Sequence, residues 1–307
     1  QRQMCIRDSP LGRLYESDGQ NRNNFSRLNG KLDYMPIDGL KLSALVSYSR
    51  YNETRGYYET KKNISNLRNG VNGYASNGTR ETQDRLTELT AQYNKKIDEH
   101  DFTILGGYSY QDNFFRDYYM TNNNFQTDQF GYNQIGLGLG LKEGSQYANM
   151  GGSTSATNLI SFFGRLNYSY KGRYLLQASL RHEAASQLYK TKKPWGSFPS
   201  VSAGWRISEE SFLKDVKQVN ELKLRAGYGV TGTPNPNGFG AVALTGFGAP
   251  YYYDGNWIRT LVPAQNPNPY LKWEEKHEIN IGLDYGFFDN RISGSVDYYQ
   301  RNIKDLL

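Results

Sequence analysis

The sequence is poor in the features that mark several common protein classes. Its 307 residues include a single cysteine, Cys5, which excludes an internal disulfide and a zinc site built from cysteines. No run approaches the roughly 18 consecutive apolar residues of a membrane-spanning helix, so a helical membrane protein is excluded. The net charge of +6 is scattered without a long basic run, which disfavours a nucleic-acid-binding protein.

Both ends of the sequence are unusual. The first residues, QRQMCIRDSP, lack the apolar core of a secretory signal peptide and are similar to translated adapter sequence. We therefore predict that residues 1–23 are a non-native or poorly ordered segment. The last predicted strand runs directly into a short tail at 302–307. We expect residues 24–307 to be part of a larger domain.

The sequence is rich in tyrosine, with 26 residues, and in runs where apolar and polar side chains alternate. Alternation with a period of two predicts β-strands with two unlike faces. Residues 40–48, for example, place Leu42 and Tyr48 on one face and Lys41 and Ser43 on the other. Ten runs of this kind occur, mostly close to the about 9–11 residues of a tilted transmembrane strand. The pattern predicts an all-β protein.

The predicted connections alternate in length along the chain. The short ones are 35–39, 94–101, 171–172, 208–219 and 286–291, and the long ones are 52–84, 112–157, 182–196 and 229–274. Bacterial outer-membrane barrels have short periplasmic turns and long extracellular loops. In one short connection, Ser208 with Glu209 and Glu210 predicts the cap and first turn of a brief helix. We predict an antiparallel up-and-down transmembrane β-barrel.

Aromatic residues cluster at the two ends of the apolar strand faces. Amphipathic rings in two such rows are typical of the two membrane interfaces, although tyrosine is also a good strand residue in any setting. The predicted girdle residues are Tyr34, Tyr48, Tyr93, Tyr108, Tyr170, Tyr174, Trp205, Tyr228, Tyr285 and Tyr298. Because an open sheet edge in hydrocarbon leaves backbone groups unpaired, ten strands must either close or belong to a larger barrel. We favour the larger barrel.

Several stretches resemble the SusC/RagA family of TonB-dependent outer-membrane transporters. They are FFGRLNYSYKGRYLLQASLR (162–181), PWGSFPSVSAGWRISEESFLK (194–214), LKLRAGYGVTG (222–232) and NPYLKWEEKHEINIGLDYGFFDNRISGSVDYYQRNIKDLL (268–307). The resemblance is strong over 162–307 and looser over 24–111. It implies a plugged barrel of about 22 strands, of which these ten are part. The plug and the C-terminal strands are then expected outside this sequence.

The resemblance also implies a function. Such transporters import a bulky nutrient, an oligosaccharide or other glycan or a peptide, across the outer membrane of Gram-negative, Bacteroidetes-like bacteria. They work with a SusD-like surface lipoprotein and are driven by the TonB–ExbB–ExbD complex, which engages the N-terminal part of the protein. On this basis we expect outer-membrane lipid and cargo as further partners, and neither nucleic acid nor a cofactor.

Two groups of residues are candidates for binding. Cations on the polar strand faces are predicted to face the barrel lumen and contact the plug: Arg165, Arg181, Arg206, Lys223 and Arg225. Arg206, Lys223 and Arg225 lie on neighbouring predicted strands and are the best of these. In a long loop, Tyr251, Tyr252, Tyr253 and Trp257 combine rings with polar neighbours and are predicted to contact ligand or lipoprotein. Hydration of a polar lumen and packing within the loop are the simpler alternatives.

Two other functional classes remain open from the residues alone. A self-contained ten-stranded outer-membrane enzyme, such as an omptin-like protease, needs histidines and carboxylates that converge at one rim. The three histidines, His100, His182 and His277, show no matched acid–base pair or metal-binding spacing, so we predict no catalytic residue and no metal site. A soluble β-sandwich would instead pack Leu176 and Ile281 in a protein core.

Overall fold

One ten-stranded sheet dominates the computed structural model, which describes residues 10–234, 240 and 242–306. Its strands lie in the order β1 to β8, then β13 and β14. They are β1 (Ser17–Ile37), β2 (Leu40–Glu59), β3 (Tyr74–Ile97), β4 (His100–Asn123), β5 (Asn149–Tyr170), β6 (Tyr174–Ala185), β7 (Trp195–Arg206), β8 (Val219–Thr233), β13 (Glu274–Phe287) and β14 (Ile292–Lys304). The pairs from β5 to β8, and β13 with β8 and β14, are antiparallel.

The remaining elements are short. Between β8 and β13, β9 (Leu244–Phe247) pairs with β12 (Leu261–Gln265), and β10 (Tyr251–Tyr253) pairs with β11 (Asn256–Ile258). The helices are α1 (Pro10–Tyr15), α2 (Ile64–Asn69) and α3 (Gly140–Glu143), with 3₁₀ turns at Gly131–Leu137, Ser186–Leu188 and Ile207–Glu209. None of the helices in the described ranges is long and apolar enough to cross a membrane.

The predicted number of sheet strands is confirmed, but several strands are longer than predicted. Both ends of the predicted loops 52–84 and 112–157 are strand, because β2 continues to Glu59, β3 begins at Tyr74, β4 continues to Asn123 and β5 begins at Asn149. The apolar alternation breaks down in these parts because polar residues interrupt the apolar face, while the strands continue. β1 likewise begins at Ser17, before the predicted boundary at residue 24. The non-native origin of the first residues stays a prediction, and residues 1–9 lie outside the described ranges.

The predicted brief helix after β7 is wrong. The chain makes only the 3₁₀ turn Ile207–Glu209, and Ser208 lies inside this turn instead of capping it with its side chain. Glu210, predicted to belong to the first helical turn, has extended backbone angles. Its carboxylate accepts hydrogen bonds from side chains of the sheet, which satisfies it without a helix N-terminus.

The described chain forms two compact units. The first contains the described residues up to Asn29 together with Ser47–Arg85 and Asp112–Ala156. Its apolar cluster consists of Tyr58, Ala75 and Phe125, with Tyr132 and Ile135 packed against them. The second contains Gly30–Val46, Leu86–Gln111 and the described residues from Thr157 onward. Its apolar cluster consists of Ala185, Leu188, Phe198, Val230, Leu271 and Trp273, with Leu159 packed against them.

The sheet of the second unit has an apolar face and a polar face. One cross-strand row contains Leu176, Ala203, Ala226, Ile281 and Tyr298. The adjacent row on the opposite face contains Gln177, Ser202, Gly227, Asn280 and Tyr299. Leu176 is 40% exposed and Ile281 is 48% exposed. The packed core that a soluble sandwich would require around these two residues is therefore not what the structure shows.

Candidate functional site

A groove of about 630 Å³ lies on the sheet of the second unit. Polar side chains that line it include Asn167, Gln177, Ser202, Lys223, Arg225 and Asn280. They come from neighbouring strands because residues of one parity share a face of the sheet. The groove therefore collects two of the cations that the sequence predicts for the lumen.

Arg225 bonds to two carboxylates on this face. Its guanidinium donates two hydrogen bonds of 2.8 Å to the two carboxylate oxygens of Asp284 and a third of 3.1 Å to Asp297. Gly282 stands directly opposite Arg225 on one side and Asp297 on the other. A Cβ at Gly282 would approach Asp297 Oδ1 to 2.4 Å, so the absence of a side chain there leaves room for the three charged groups.

Lys223 and Arg206 differ from Arg225, because neither forms an ion pair with a carboxylate of the described residues. They lie directly opposite each other on β8 and β7, and like charges in that position repel each other. Asp284 stands opposite Lys223 on the other side but forms its ion pair with Arg225. Within the described residues, no carboxylate lies at ion-pair distance from Arg206 or Lys223. Both cations are therefore available to an anionic group from outside the sheet.

The other two predicted lumen cations lie elsewhere on the sheet. Arg181 bonds to Glu183 and donates to Ser161 at 2.7 Å, and its guanidinium lies 5.4 Å from the ring centre of Phe163. Arg165 stands opposite Ser179 on β6. The structure thus brings three of the five predicted residues together and separates two. Contact with a plug stays a prediction for all five.

The predicted loop aromatics form a tight hairpin. Tyr252 stands opposite Trp257 across β10 and β11, with ring centres 5.4 Å apart in an edge-to-face arrangement. The rings of Tyr251 and Tyr253 lie 6.3 Å apart. The turn between the strands has positive φ at Asp254 and Gly255, as a two-residue type I′ hairpin requires. All four aromatic side chains are exposed, and a role in ligand or lipoprotein contact stays a prediction.

Three predicted girdle residues form a stack beside a short connection. The rings of Tyr170, Tyr174 and Trp205 follow one another at 6.2 Å and 6.4 Å. The hydroxyl of Tyr174 and the indole N–H of Trp205 both donate to Glu210, at 2.6 Å and 2.9 Å. Rings with an apolar body and a bonded polar end suit a boundary between hydrocarbon and water. The assignment of the girdle to a membrane interface stays a prediction.

Glu210 was missed as a partner for these rings by the sequence argument, although its contacts are specific. Hydrogen bonds from Tyr174 and Trp205, with the nearby Arg173 guanidinium, lower the pKa of Glu210 below its ordinary value of 4.5. Burial opposes this shift but does not cancel it. A depressed folded pKa means that the contribution of Glu210 to stability is complete above the ordinary pKa and is lost as the pH falls through the folded pKa.

Glu210→Gln is therefore expected to lower the apparent melting temperature near neutral pH and to lose this effect in acid. The measurement compares wild type and variant at about pH 7 and about pH 3, on either side of the ordinary glutamate pKa. Glu209→Gln is the matched control, since the Glu209 side chain is exposed. A difference in melting temperature that is unchanged at the two pH values would contradict the ionic role of Glu210.

The three histidines lie in separate environments. His100 Nδ1 lies 2.8 Å from the Tyr168 hydroxyl, and His182 Nδ1 lies 2.8 Å from the Ser197 hydroxyl. His277 bonds to Tyr228 and to Glu275, at 2.8 Å and 3.1 Å. Across the described ranges, no group of three or more metal-binding side chains is found.

Comparison with known proteins identifies extended similarity. Residues 6–307 match the family described as "TonB dependent receptor-like, beta-barrel". The chain is 32% identical over 301 residues to TonB-dependent receptor P3 of Formosa agariphila, covering 98% of the chain and 29% of that relative. It is 36% identical over 247 residues to TonB-dependent receptor SusC of Bacteroides thetaiotaomicron, covering 78% of the chain and 23% of that protein. It thus spans less than a third of these relatives.

Solved structures show the same fold. A structure of the RagAB peptide transporter superposes with a TM-score of 0.80 at 24% identity, over 95% of the chain and 31% of that chain. The ferric citrate transporter FecA superposes with a TM-score of 0.52 at 10% identity, over 93% of the chain and 35% of that chain. The predicted fold class, a segment of a larger antiparallel β-barrel, is confirmed by these matches.

Proposed function

Because the chain belongs to the TonB-dependent receptor-like β-barrel family, we propose that it forms part of the wall of an outer-membrane transporter for a bulky nutrient. The family match over residues 6–307 is the observation that supports this proposal most strongly. Its relatives are TonB-dependent receptors and not enzymes, which confirms the prediction of a non-enzyme. The omptin-like alternative is thereby wrong.

The finer proposal is a SusC-like transporter whose cargo is an oligosaccharide, another glycan or a peptide. It is supported by the resemblance to SusC/RagA proteins and by 36% identity to SusC. We include a SusD-like surface lipoprotein and the TonB–ExbB–ExbD complex as partners of the complete protein. The proposed location is the outer membrane of a Gram-negative bacterium related to the Bacteroidetes, since the relatives named above come from Formosa and Bacteroides.

In this proposal the polar face of the sheet lines the lumen. Arg206 and Lys223, which repel each other across two strands, would be stabilised by a carboxylate on the plug domain. Arg225 would contribute less to such a contact, because Asp284 and Asp297 already accept its hydrogen bonds. The described part of the sheet therefore offers one pair of cations without an ion pair beside one arginine that is held by two carboxylates.

The experiment that tests transport uses the complete receptor gene in its host. Deletion is expected to abolish growth on one oligosaccharide or peptide as the sole nutrient, and the complete gene is expected to restore it. Restoration should fail in a strain without a functional TonB protein, because import against a gradient needs energy. The proposal would be contradicted if the deletion strain grew normally on every nutrient whose uptake is encoded by the neighbouring genes.

The exposed hairpin gives a sharper prediction about capture. Replacing both Tyr252 and Trp257 with alanine in the complete receptor is expected to weaken cargo or lipoprotein binding by at least about tenfold, as for aromatic hot spots in interfaces. Tyr189→Ala is a suitable control, since Tyr189 is an exposed tyrosine of another connection. Binding is measured by titrating the purified receptor with the cargo or with the lipoprotein. Unchanged affinity in the double variant would assign the hairpin aromatics to packing within the loop.

A further inference from the structure

An arginine network lies on one face of the first unit. The carboxylate of Glu81 on β3 contacts Arg50 of β2 and Arg116 of β4, each at 2.6 Å. Gln83 donates to Glu81 at 2.8 Å, and Arg85 donates to Gln83 at 3.2 Å. Hydrogen bonds from Gln83 and Arg116, with the charge of Arg50, lower the pKa of Glu81. Glu81 is therefore a carboxylate that holds two guanidinium groups together.

Aromatic rings lie at both ends of this network. The guanidinium of Arg116 lies 5.7 Å from the ring centre of Phe114 and 5.9 Å from that of Tyr118. The guanidinium of Arg85 lies 6.0 Å from the ring centre of Tyr48. These distances are within the range of cation–π contacts. We call Tyr48, Arg50, Glu81, Gln83, Arg85, Phe114, Arg116 and Tyr118 the outer arginine network.

The network shares a face with the apolar side chains of β2. Tyr48 ends the apolar series that starts at Leu40, and Arg50 is the next residue of the same parity. The contacts from Tyr48 through Arg85 to Glu81 keep the other members on this face. If Tyr48 belongs to the extracellular girdle, the network lies just beyond it, at the level of lipid headgroups and on the outside of the wall.

The opposite face of the same strands carries a balanced network. Arg55 bonds to Asp117 at 3.0 Å, and Arg80 contacts Asp117 at 3.3 Å and Glu53 at 3.8 Å. Two arginines there face two carboxylates. The outer arginine network has three arginines and one carboxylate. By strand alternation, Asp18, Arg22 and Asp112 also lie on the outer face, so its four arginines and three carboxylates leave an excess of one positive charge.

We propose that the outer arginine network binds the phosphate groups of an anionic glycolipid headgroup in the outer leaflet of the membrane. The proposal rests on the proposed function, since that function places this face toward lipid. Guanidinium groups match phosphate oxygens with paired donors. Arg50 and Arg116 are 45% and 43% exposed, so each has donors available beyond its bond to Glu81.

The surroundings of the network suit a headgroup that also contains sugar. A groove of about 590 Å³ in the same unit shares Tyr118 with the network. Its lining includes Arg22, Thr54, Thr79 and Tyr132. Tyr132 packs so closely over Gly56 that a Cβ there would come within 2.4 Å of its ring. The groove therefore offers a further arginine, hydroxyl groups and aromatic rings beside the phosphate-binding groups.

The test uses the complete receptor in a neutral detergent, titrated with diphosphoryl lipid A and followed by native mass spectrometry. Replacing Arg50 and Arg116 with glutamine is expected to weaken binding by about tenfold or more, since two charge-assisted contacts are removed. The control is Arg80→Gln, on β3 between these strands but on the opposite face, with its guanidinium bonded to Asp117. This control is expected to bind diphosphoryl lipid A like wild type.

Further probes identify the chemistry that is recognised. Monophosphoryl lipid A is expected to bind more weakly than the diphosphoryl form, while inorganic phosphate at equal concentration is expected not to compete. Equal binding by wild type and the outer double variant, or equal loss in the outer double variant and the Arg80 control, would overturn the proposal. Heat-dependent electrophoretic mobility reports whether each variant is folded. Normal nutrient uptake together with unchanged lipid A binding in the outer variant would reject this inference and leave the transport function intact.

Discussion

Ile281→Arg is expected to lower the free energy of unfolding of the complete receptor by ~2–4 kcal/mol, the cost of a cation at the middle of the lipid face of a barrel. Ile281 lies in the middle of the apolar series of β13 and stands opposite Ala226 and Tyr298. Its side chain is exposed on the sheet, so the free-energy cost of the substitution depends on whether lipid or water surrounds it. In lipid, a guanidinium at this position loses its hydration.

The control is the neighbouring residue, Asn280, whose side chain lies on the polar face. Asn280→Arg is expected to change stability by less than about 0.5 kcal/mol, as is usual for a solvated surface position. Gly227 stands opposite Asn280 and leaves room for the longer side chain. The measurement is urea unfolding of the complete receptor in lipid vesicles, followed by tryptophan fluorescence. Equal destabilisation by the two substitutions would contradict the assignment of the two faces.

Trp273→Ala is expected to cost about 3–5 kcal/mol, the usual result of removing a buried tryptophan from a packed cluster. Trp273 is 3% exposed, its ring lies 5.2 Å from that of Phe198, and its indole N–H donates to the carbonyl of Pro194 at 3.1 Å. Phe198 in turn lies over Gly232, where a Cβ would come within 2.0 Å of the ring. Removal of the indole would therefore leave a cavity between the sheet and the end of the connection that joins β8 to β13.

Trp257→Ala removes the same side chain from the exposed hairpin and serves as the control. Trp257 is 71% exposed, so its removal is expected to change stability by less than about 0.5 kcal/mol. Urea unfolding measures both variants, and limited proteolysis should show faster cleavage between residues 234 and 273 only in the Trp273 variant. Comparable stability of the two variants would show that the apolar cluster around Trp273 does not anchor this connection.

The period-two alternation was sufficient to predict the sheet where one face is apolar. Leu176 and Ile281 were assigned correctly to one face because hydrophobicity marks every second residue there. The same argument failed for 52–84, since β2 and β3 continue into a part where polar residues interrupt the apolar face. Strand pairing through the backbone needs no apolar residue, so the sequence pattern carries no signal of it.

The residue types of the candidate sites were predictable from the sequence, but their bonding partners were not. Arg225 was recognised as a lumen cation, yet its three bonds to Asp284 and Asp297 depend on strand register. The role of Gly282 beside these three charged groups emerges only from the cross-strand positions. The outer arginine network also joins residues of three strands. Long-range register is the missing information in each case.

The position of β8 beside β13 has an evolutionary consequence. Thr233 and Glu274 stand directly opposite each other, so the chain leaves the wall and returns to it at one point. The ends of this connection are already held together by the sheet, so its length can change at little entropic cost. Each doubling of a flexible loop adds only about 0.6 kcal/mol to the free energy of loop closure. Mutation and recombination can therefore replace the exposed hairpin as a cassette. Under the proposed contact of the hairpin with cargo, such a replacement would change substrate preference and leave the register of β8 and β13 unchanged.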